Sequence, residues 1–284
     1  MFATLQCGRF QLSLERPLVM GIVNVTPDSF SDGNAHFQAD QAIAHGLRLI
    51  QEGADLLDIG GESTRPGAQA VSADEELRRI LPVIQGLRDG GVPLSVDTCK
   101  PDVMRRALQA GADMINDIGG FTAPGALDAV WDADCALCLM HMRGEPRTMQ
   151  QDPVYADVVA DVRDYLAAGA QRLRDAGVAA DRIVLDPGFG FGKTVAHNYA
   201  LLRHLPQVMG DDYPSLLGVS RKSMIGAITG RPASQRLGGS IAAALAGAAR
   251  GAHILRVHDV ADTVDALKIW SAVEQPRVEQ GARA

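Results

Sequence analysis

The sequence predicts a single (β/α)₈ TIM barrel, and three observations predict it. Short apolar runs alternate with amphipathic stretches about eight times in roughly 250 residues, which is the count of that barrel. Many runs are continuously apolar, as in Leu216-Leu217-Gly218-Val219, and such runs fit parallel strands buried on both faces. Nearly every run ends in a residue able to hold a polar ligand, and barrel enzymes carry their chemistry at those strand ends. A doubly wound open sheet is the alternative. It would place a Gly-rich dinucleotide loop after its first strand, and none follows Leu18 to Val23.

In chain order, Phe2 to Leu14 alternates apolar and polar residues about Gly8 and is expected as a hairpin capping the barrel bottom. Strands are expected near 18–24, 55–60, 93–97, 113–118, 135–140, 182–187, 215–220 and 253–257. Amphipathic helices are expected near 38–52, 73–89, 101–110, 124–132, 154–176, 195–205, 234–250 and 260–272. Several end at glycine, as in Glu52-Gly53, Ala110-Gly111 and Ala176-Gly177, where glycine supplies the left-handed cap. The tail 276–284 is polar and expected to fray. With no linker or low-complexity segment, residues 1–284 read as one domain.

Composition narrows the class. The chain has 284 residues, is 46% hydrophobic and carries a net charge of -7. That is a globular composition, long enough to fold without disulfides or metals. The acidic balance argues against nucleic acid as a partner. No run approaches the ~20 apolar residues of a membrane span, and Met1 to Arg16 lacks the apolar core of a leader. The cysteines are Cys7, Cys99, Cys135 and Cys138. Too few for a disulfide scaffold, they suggest a reducing, cytoplasmic setting.

Two motifs resemble sites. Gly188-Phe189-Gly190-Phe191-Gly192-Lys193-Thr194 looks like a phosphate loop, but Pro187 stands where a Walker A motif needs glycine. It reads instead as a strand-to-helix loop whose Phe189 and Phe191 either flank a flat ligand or pack beneath the loop. Cys135 and Cys138 have metal-ligand spacing, but residues three apart in a strand point to opposite faces, so both read as small core residues.

The strand ends make one set. Asn24 ends the first strand, Asp58 lies in the second and Asp97 ends the third. Asn116-Asp117, Met140-His141 and Asp186 end the next three, and Ser220-Arg221-Lys222 and Arg256-Val257-His258 end the last two. A single Asp or Asn there is commonly a helix cap, but Lys222, Arg256 and His258 are poor caps. Asp97, Asn116, Asp186 and Lys222 suit a flat heterocycle with an amino-amide edge, since charge-assisted hydrogen bonds contribute about 1.5–3 kcal/mol each. Asn24, Arg256 and His258 suit a pyrophosphate. Arg presents a fork to phosphate oxygens, and an Asn carbonyl can ligate Mg²⁺.

These residues carry a family resemblance. Asn24-Val25-Thr26-Pro27-Asp28-Ser29-Phe30-Ser31, Asp58 to Gly67, Ser95-Val96-Asp97-Thr98, Ile115-Asn116-Asp117-Ile118, Asp186 to Lys193, Ser220-Arg221-Lys222-Ser223 and Arg256-Val257-His258-Asp259 occur in order. Over roughly residues 18 to 272 the chain resembles bacterial dihydropteroate synthase. The resemblance implies condensation of 6-hydroxymethyl-7,8-dihydropterin pyrophosphate with 4-aminobenzoate to give 7,8-dihydropteroate and pyrophosphate, a step of folate biosynthesis. It implies Asp97, Asn116, Asp186 and Lys222 on the pterin, and Asn24, Arg256, His258 and Arg65 on the pyrophosphate, with Mg²⁺ bridging to Asn24. Phe30, Thr64, Pro66, Phe191, Ser220 and Lys222 would shape the aminobenzoate pocket, with the loops Thr26 to Ser31 and Ser63 to Gly67 closing over the site. Asp97, Lys222, Asn24, Arg256 and His258 would be catalytic. Sulfonamides, which resemble aminobenzoate, would compete for its pocket, and the chain would form a homodimer.

Three other readings fit less well. A silent pterin-binding homologue would not need the intact Thr26-Pro27-Asp28 and Ser63-Thr64-Arg65-Pro66 loops. A corrinoid-dependent pterin methyltransferase would not need Asn24, Arg256 and His258. A sugar-phosphate barrel enzyme leaves the Asp and Asn strand ends unexplained.

Overall fold

The computed structural model describes residues 3–26, 35–63, 68–145 and 148–274. Phe30, Thr64, Arg65, Pro66 and the tail 276–284 lie outside the described residues, as does most of the segment Thr26 to Ser31.

A two-stranded antiparallel hairpin comes first, β1 (Thr4–Cys7) and β2 (Phe10–Ser13), with Thr4 opposite Ser13. Eight parallel strands follow: β3 (Leu18–Asn24), β4 (Leu56–Gly60), β5 (Leu94–Asp97), β6 (Met114–Asp117), β7 (Ala136–Met140), β8 (Ile183–Asp186), β9 (Leu216–Leu217) and β10 (Ile254–Val257). They are ordered β8-β7-β6-β5-β4-β3-β10-β9. A parallel bridge between Leu185 and Ser215, the residue before β9, joins the two ends. The sheet is closed, and the fold is the expected (β/α)₈ barrel.

Around it lie α1 (Ala35–Gln51), α2 (Ala73–Leu87), α3 (Pro101–Ala110), α4 (Val158–Asp175), α5 (Val195–Arg203), α6 (Leu205–Met209), α7 (Ser223–Thr229), α8 (Leu237–Ala248) and α9 (Val260–Glu274). Local chemistry sets their ends. Ser72 caps α2 by accepting from Glu75 N, and Asp157 caps α4 through Val159 N and Ala160 N. Pro101 opens α3, which stops at Gly111 in the left-handed conformation. The helix expected near 124–132 is a correction: only Leu127–Ala129 winds, as one 3₁₀ turn. Gly125, at φ 82°, breaks the segment, and Ala126 and Val130 still bury themselves against the barrel. Sequence reading also missed α7, whose Ile225, Gly226, Ile228 and Thr229 are poor helix formers.

Strand parity sorts the side chains into two cores. Leu18, Met20, Leu56, Met114, Ala136, Cys138, Val184, Leu216 and Ile254 fill the lower barrel interior with Leu5, Cys7 and Leu14 of the hairpin region. Their neighbours Val19, Leu57, Leu94, Ile115, Leu137, Leu185, Leu217 and Leu255 face the helices. Cys138 is in the interior cluster and Cys135 in the outer one, so the pair diverges as expected.

The hairpin plugs the N-terminal end of the strands. Gly8 N donates to Asp134 O, and Arg9 pairs with Asp113, just before β6, at 2.9 Å. Gly8 sits at φ 55°, and a Cβ there would meet Asp113 atoms at 2.6–2.8 Å. Gly8→Ala is therefore expected to destabilise by roughly 2 kcal/mol. The activity of the folded fraction should be unchanged, since the turn is at the barrel's other end. Urea unfolding alongside turnover checks this, and an unchanged midpoint would contradict the role given to the turn.

Candidate active site

The parity that places Leu56 inside the barrel places Asp58 there too, one layer up. It does the same for Asn24, Ser95, Asp97, Asn116, Asp186, Ser220 and Arg256. The barrel therefore turns its expected ligand set toward one mouth, at the C-terminal strand ends. Asp117 has the opposite parity. Its carboxylate accepts from Gly119 N and Phe121 N, both at 2.7 Å, and it organises the following turn. Of the pair Asn116-Asp117, only Asn116 faces the mouth.

Arg256 is the hub. Its Nε donates to Asp58 Oδ2 at 2.5 Å and its Nη2 to Asp97 Oδ2 at 3.1 Å. Asp58, fully buried, also accepts from Ser95 Oγ at 2.6 Å and Asn116 Nδ2 at 3.2 Å. Arg256, expected on the pyrophosphate, thus reaches into the heterocycle set and joins the two groups. Sequence reading counted Asp58 in the strand-end set without giving it a role, and left Ser95 out. The available signal was a carboxylate in the middle of the apolar run Leu56 to Gly60, where a charge must find a partner.

Two acceptors remain open. Among the described residues, Asp97 Oδ1 and Asn116 Oδ1 are buried with no hydrogen-bond partner, and the two residues are register partners on β5 and β6. Buried acceptors without partners are uncommon in folded proteins. Here they line the mouth, ready for donors on a ligand. Burial, with Asp58 sharing the same guanidinium, pushes Asp97 up to about 7 against the pull of Arg256. Burial likewise raises Asp186, against Gly188 N, which donates to it at 2.7 Å.

Lys222 faces the mouth from the loop after β9. Burial pulls it down to about 8. Its Nζ donates to Phe189 O and lies 4.5 Å from the centre of the Phe191 ring, a cation–π arrangement. The two phenylalanines part company: Phe189 is fully buried in the core, while Phe191 is half-buried beside Lys222. The reading that both flank a ligand is corrected for Phe189. Lys193 is buried among loop carbonyls.

On the far side, Ser220 Oγ lies 3.0 Å from His258 Nδ1. Arg221, at φ 58°, turns outward to pair with Asp259, leaving Ser220 and Lys222 on the inner side. Asn24 and His258 line a polar cavity of about 520 Å³ with Arg221, His45 and Arg48. Among the described residues no cluster of three His, Cys, Asp or Glu could cage a metal. The amide oxygen of Asn24 is a hard donor. It fits a Mg²⁺ ion that takes its other ligands from water and a pyrophosphate.

A (β/α)₈ barrel with buried carboxylate and amide acceptors at its C-terminal strand ends has the frame of a pterin-binding enzyme. The family model described as "Pterin binding enzyme" matches residues 20–258. The chain is 53% identical over 275 residues to dihydropteroate synthase of Neisseria meningitidis serogroup B, covering 94% of this chain and 96% of that one. It is 48% identical to the Escherichia coli enzyme over 273 residues, covering 94% and 97%. Among solved structures, Burkholderia cenocepacia dihydropteroate synthase complexed with 7,8-dihydropteroate superimposes with a TM-score of 0.88 at 60% identity, covering 96% and 98%. Xanthomonas albilineans dihydropteroate synthase with 4-aminobenzoic acid gives 0.91 at 55%, covering 97% and 99%. The chain belongs to the dihydropteroate synthase family.

Proposed function

We propose that this chain joins 6-hydroxymethyl-7,8-dihydropterin pyrophosphate to 4-aminobenzoate, forming 7,8-dihydropteroate and pyrophosphate, with the pterin seated in the barrel mouth. The observation that carries the seating is the pair of buried open acceptors, Asp97 Oδ1 and Asn116 Oδ1. The amino-amide edge of a pterin presents N–H groups to such acceptors. Asp186 and Lys222 complete that pocket. Asn24, Arg256 and His258, with Arg65, hold the pyrophosphate. Mg²⁺ at Asn24 would supply charge neutralisation on the leaving group.

The residues fit a reaction in which pyrophosphate departs first and the arylamine then attacks the pterin methylene. The C–O bond to the pyrophosphate breaks with its electron pair leaving on oxygen. The amine nitrogen supplies the pair for the new C–N bond and then loses a proton. A neutral arylamine needs no strong base, so the protein's work is electrostatic. Asp97 opposes the positive charge on the heterocycle, and Arg256 and His258 meet the negative charge on the departing anion. Aminobenzoate-dependent pyrophosphate release, measured with and without Mg²⁺, tests the reaction. Release that ignores aminobenzoate would overturn it.

Phe191, Ser220 and Lys222 are the described part of the aminobenzoate pocket. Phe30, Thr64 and Pro66 come from two further segments of the sequence. An aminobenzoate site assembled from separate segments binds tightly only when another ligand favours the assembled state. Aminobenzoate and sulfonamides are therefore expected to bind at least about tenfold more tightly, ~1.4 kcal/mol, once Mg²⁺, pyrophosphate and a pterin are present. Calorimetry with and without those components decides it; equal affinities would mean a preformed pocket.

The same reading makes the enzyme a homodimer. An apolar cleft between α5, α7 and α8, lined by Ile225, Ala242, Ala243 and Ala246 and edged by the exposed Ile228, supports a partner surface there. Sedimentation of the intact chain tests it. No helix among the described residues is long and apolar enough to cross a membrane. A cytoplasmic location agrees with that and with the four free cysteines.

A further inference from the structure

We infer that Lys193 is a positioning residue that folds the loop holding Lys222 in place; the inference rests on the pterin site proposed above. Lys193 is only 3% exposed, yet among the described residues it makes no ion pair. Its Nζ lies 2.9 Å from Gly188 O, 3.0 Å from Phe191 O, 3.3 Å from His141 O and 2.8 Å from His141 Nδ1. An ammonium has three N–H donors, so these four acceptors saturate it. Burial pulls it down to about 7. A buried ammonium without a carboxylate is costly, and here the return is the shape of a loop.

That loop is wound around the ammonium. Gly188, Gly190 and Gly192 have φ of 69°, 79° and 64° and alternate with the two phenylalanines. A Cβ on Gly188 would strike His141 O, and one on Gly192 would strike Arg143 O, so the loop lies backbone to backbone against the segment after β7. Tyr155 Oη donates to Gly192 O at 2.8 Å, and Gly190 N donates to Asn198 Oδ1 at 2.7 Å. Two groups on this loop then meet Lys222: the Phe189 carbonyl and the Phe191 ring. Lys193 fixes the carbonyls at positions 188 and 191, on either side of residue 189. Its route to the pterin runs through the loop and Lys222.

A double-mutant cycle separates this role from a general contribution to stability. Binding of 6-hydroxymethylpterin is measured by calorimetry for wild type, Lys193→Met, Lys222→Met and the double variant, with thermal unfolding alongside. The expected result is about tenfold weaker pterin binding in Lys193→Met at near-normal stoichiometry. On the Lys222→Met background the same change should add nothing, because coupled residues are non-additive. If Lys193→Met does not fold, Tyr155→Phe loosens the same loop by one hydrogen bond. An approximately threefold loss is then expected, again absent on the Lys222→Met background. Unchanged affinity in the folded variant, or a loss that persists in full without Lys222, would overturn the inference. Failure of the wild type to bind the pterin would instead sink the site assignment on which it rests.

Discussion

Asp97→Asn is expected to lose about a hundredfold in turnover, ~3 kcal/mol in the transition state, while remaining folded. The amide has nearly the same shape and can still receive one N–H. What it lacks is the negative charge opposite the pterin cation. Its effect on stability has the opposite sense. In the ligand-free chain burial lifts Asp97 to about 7, against about 3.9 in an unfolded chain. A carboxyl raised in this way contributes stability that is complete below about pH 4 and is lost as pH rises through 7. The asparagine variant has no such proton to lose. Its stability relative to wild type should therefore improve from pH 5 to pH 8. Steady-state turnover and urea unfolding at the two pH values give both readouts. Near-normal turnover would refute the electrostatic role, and parallel stability profiles would refute the raised proton affinity.

Arg256→Met is expected to destabilise the fold by about 3–5 kcal/mol, the usual consequence of removing one partner from a buried ion pair. Asp58 is fully buried, and Arg256 supplies its positive charge at 2.5 Å. Ser95 and Asn116 donate hydrogen bonds to Asp58 but bring no charge. Asp58→Asn on the Arg256→Met background should restore much of the lost stability by removing the stranded carboxylate. Arg256→Lys keeps a charge but loses the planar fork that spans Asp58 and Asp97. It is expected to weaken pyrophosphate binding as well. Urea unfolding of the single and double variants, with pyrophosphate titration of Arg256→Lys, measures these effects. A loss below about 1 kcal/mol in Arg256→Met would refute the structural weight given to this ion pair.

What was legible in the sequence follows from which interactions are local. Strands buried on both faces announce themselves as apolar runs, and glycine marks the helix ends at Gly53, Gly111 and Gly177, all at positive φ. The mouth residues were legible because the end of each run is visible along the chain. The link from Arg256 to Asp58 spans 198 positions, so no local pattern could reveal it, and Arg256 was assigned by its chemistry alone. Residues 124–132 carry helical periodicity, but Gly125 takes a positive φ and only one turn forms. Phe189 and Phe191 look equivalent in the sequence. A single loop turn sends one ring into the core and the other toward Lys222. That choice is made by the backbone around Lys193, which pattern reading cannot see.

The hairpin at the barrel floor has a practical corollary for building with this enzyme. Ala3 O accepts from Leu14 N, so the chain enters beside the plug, on the face opposite the mouth. A partner domain or affinity handle joined ahead of β1 would therefore hang from the floor, leaving the barrel mouth unobstructed. Tethering by that end to a surface should likewise present the open mouth outward.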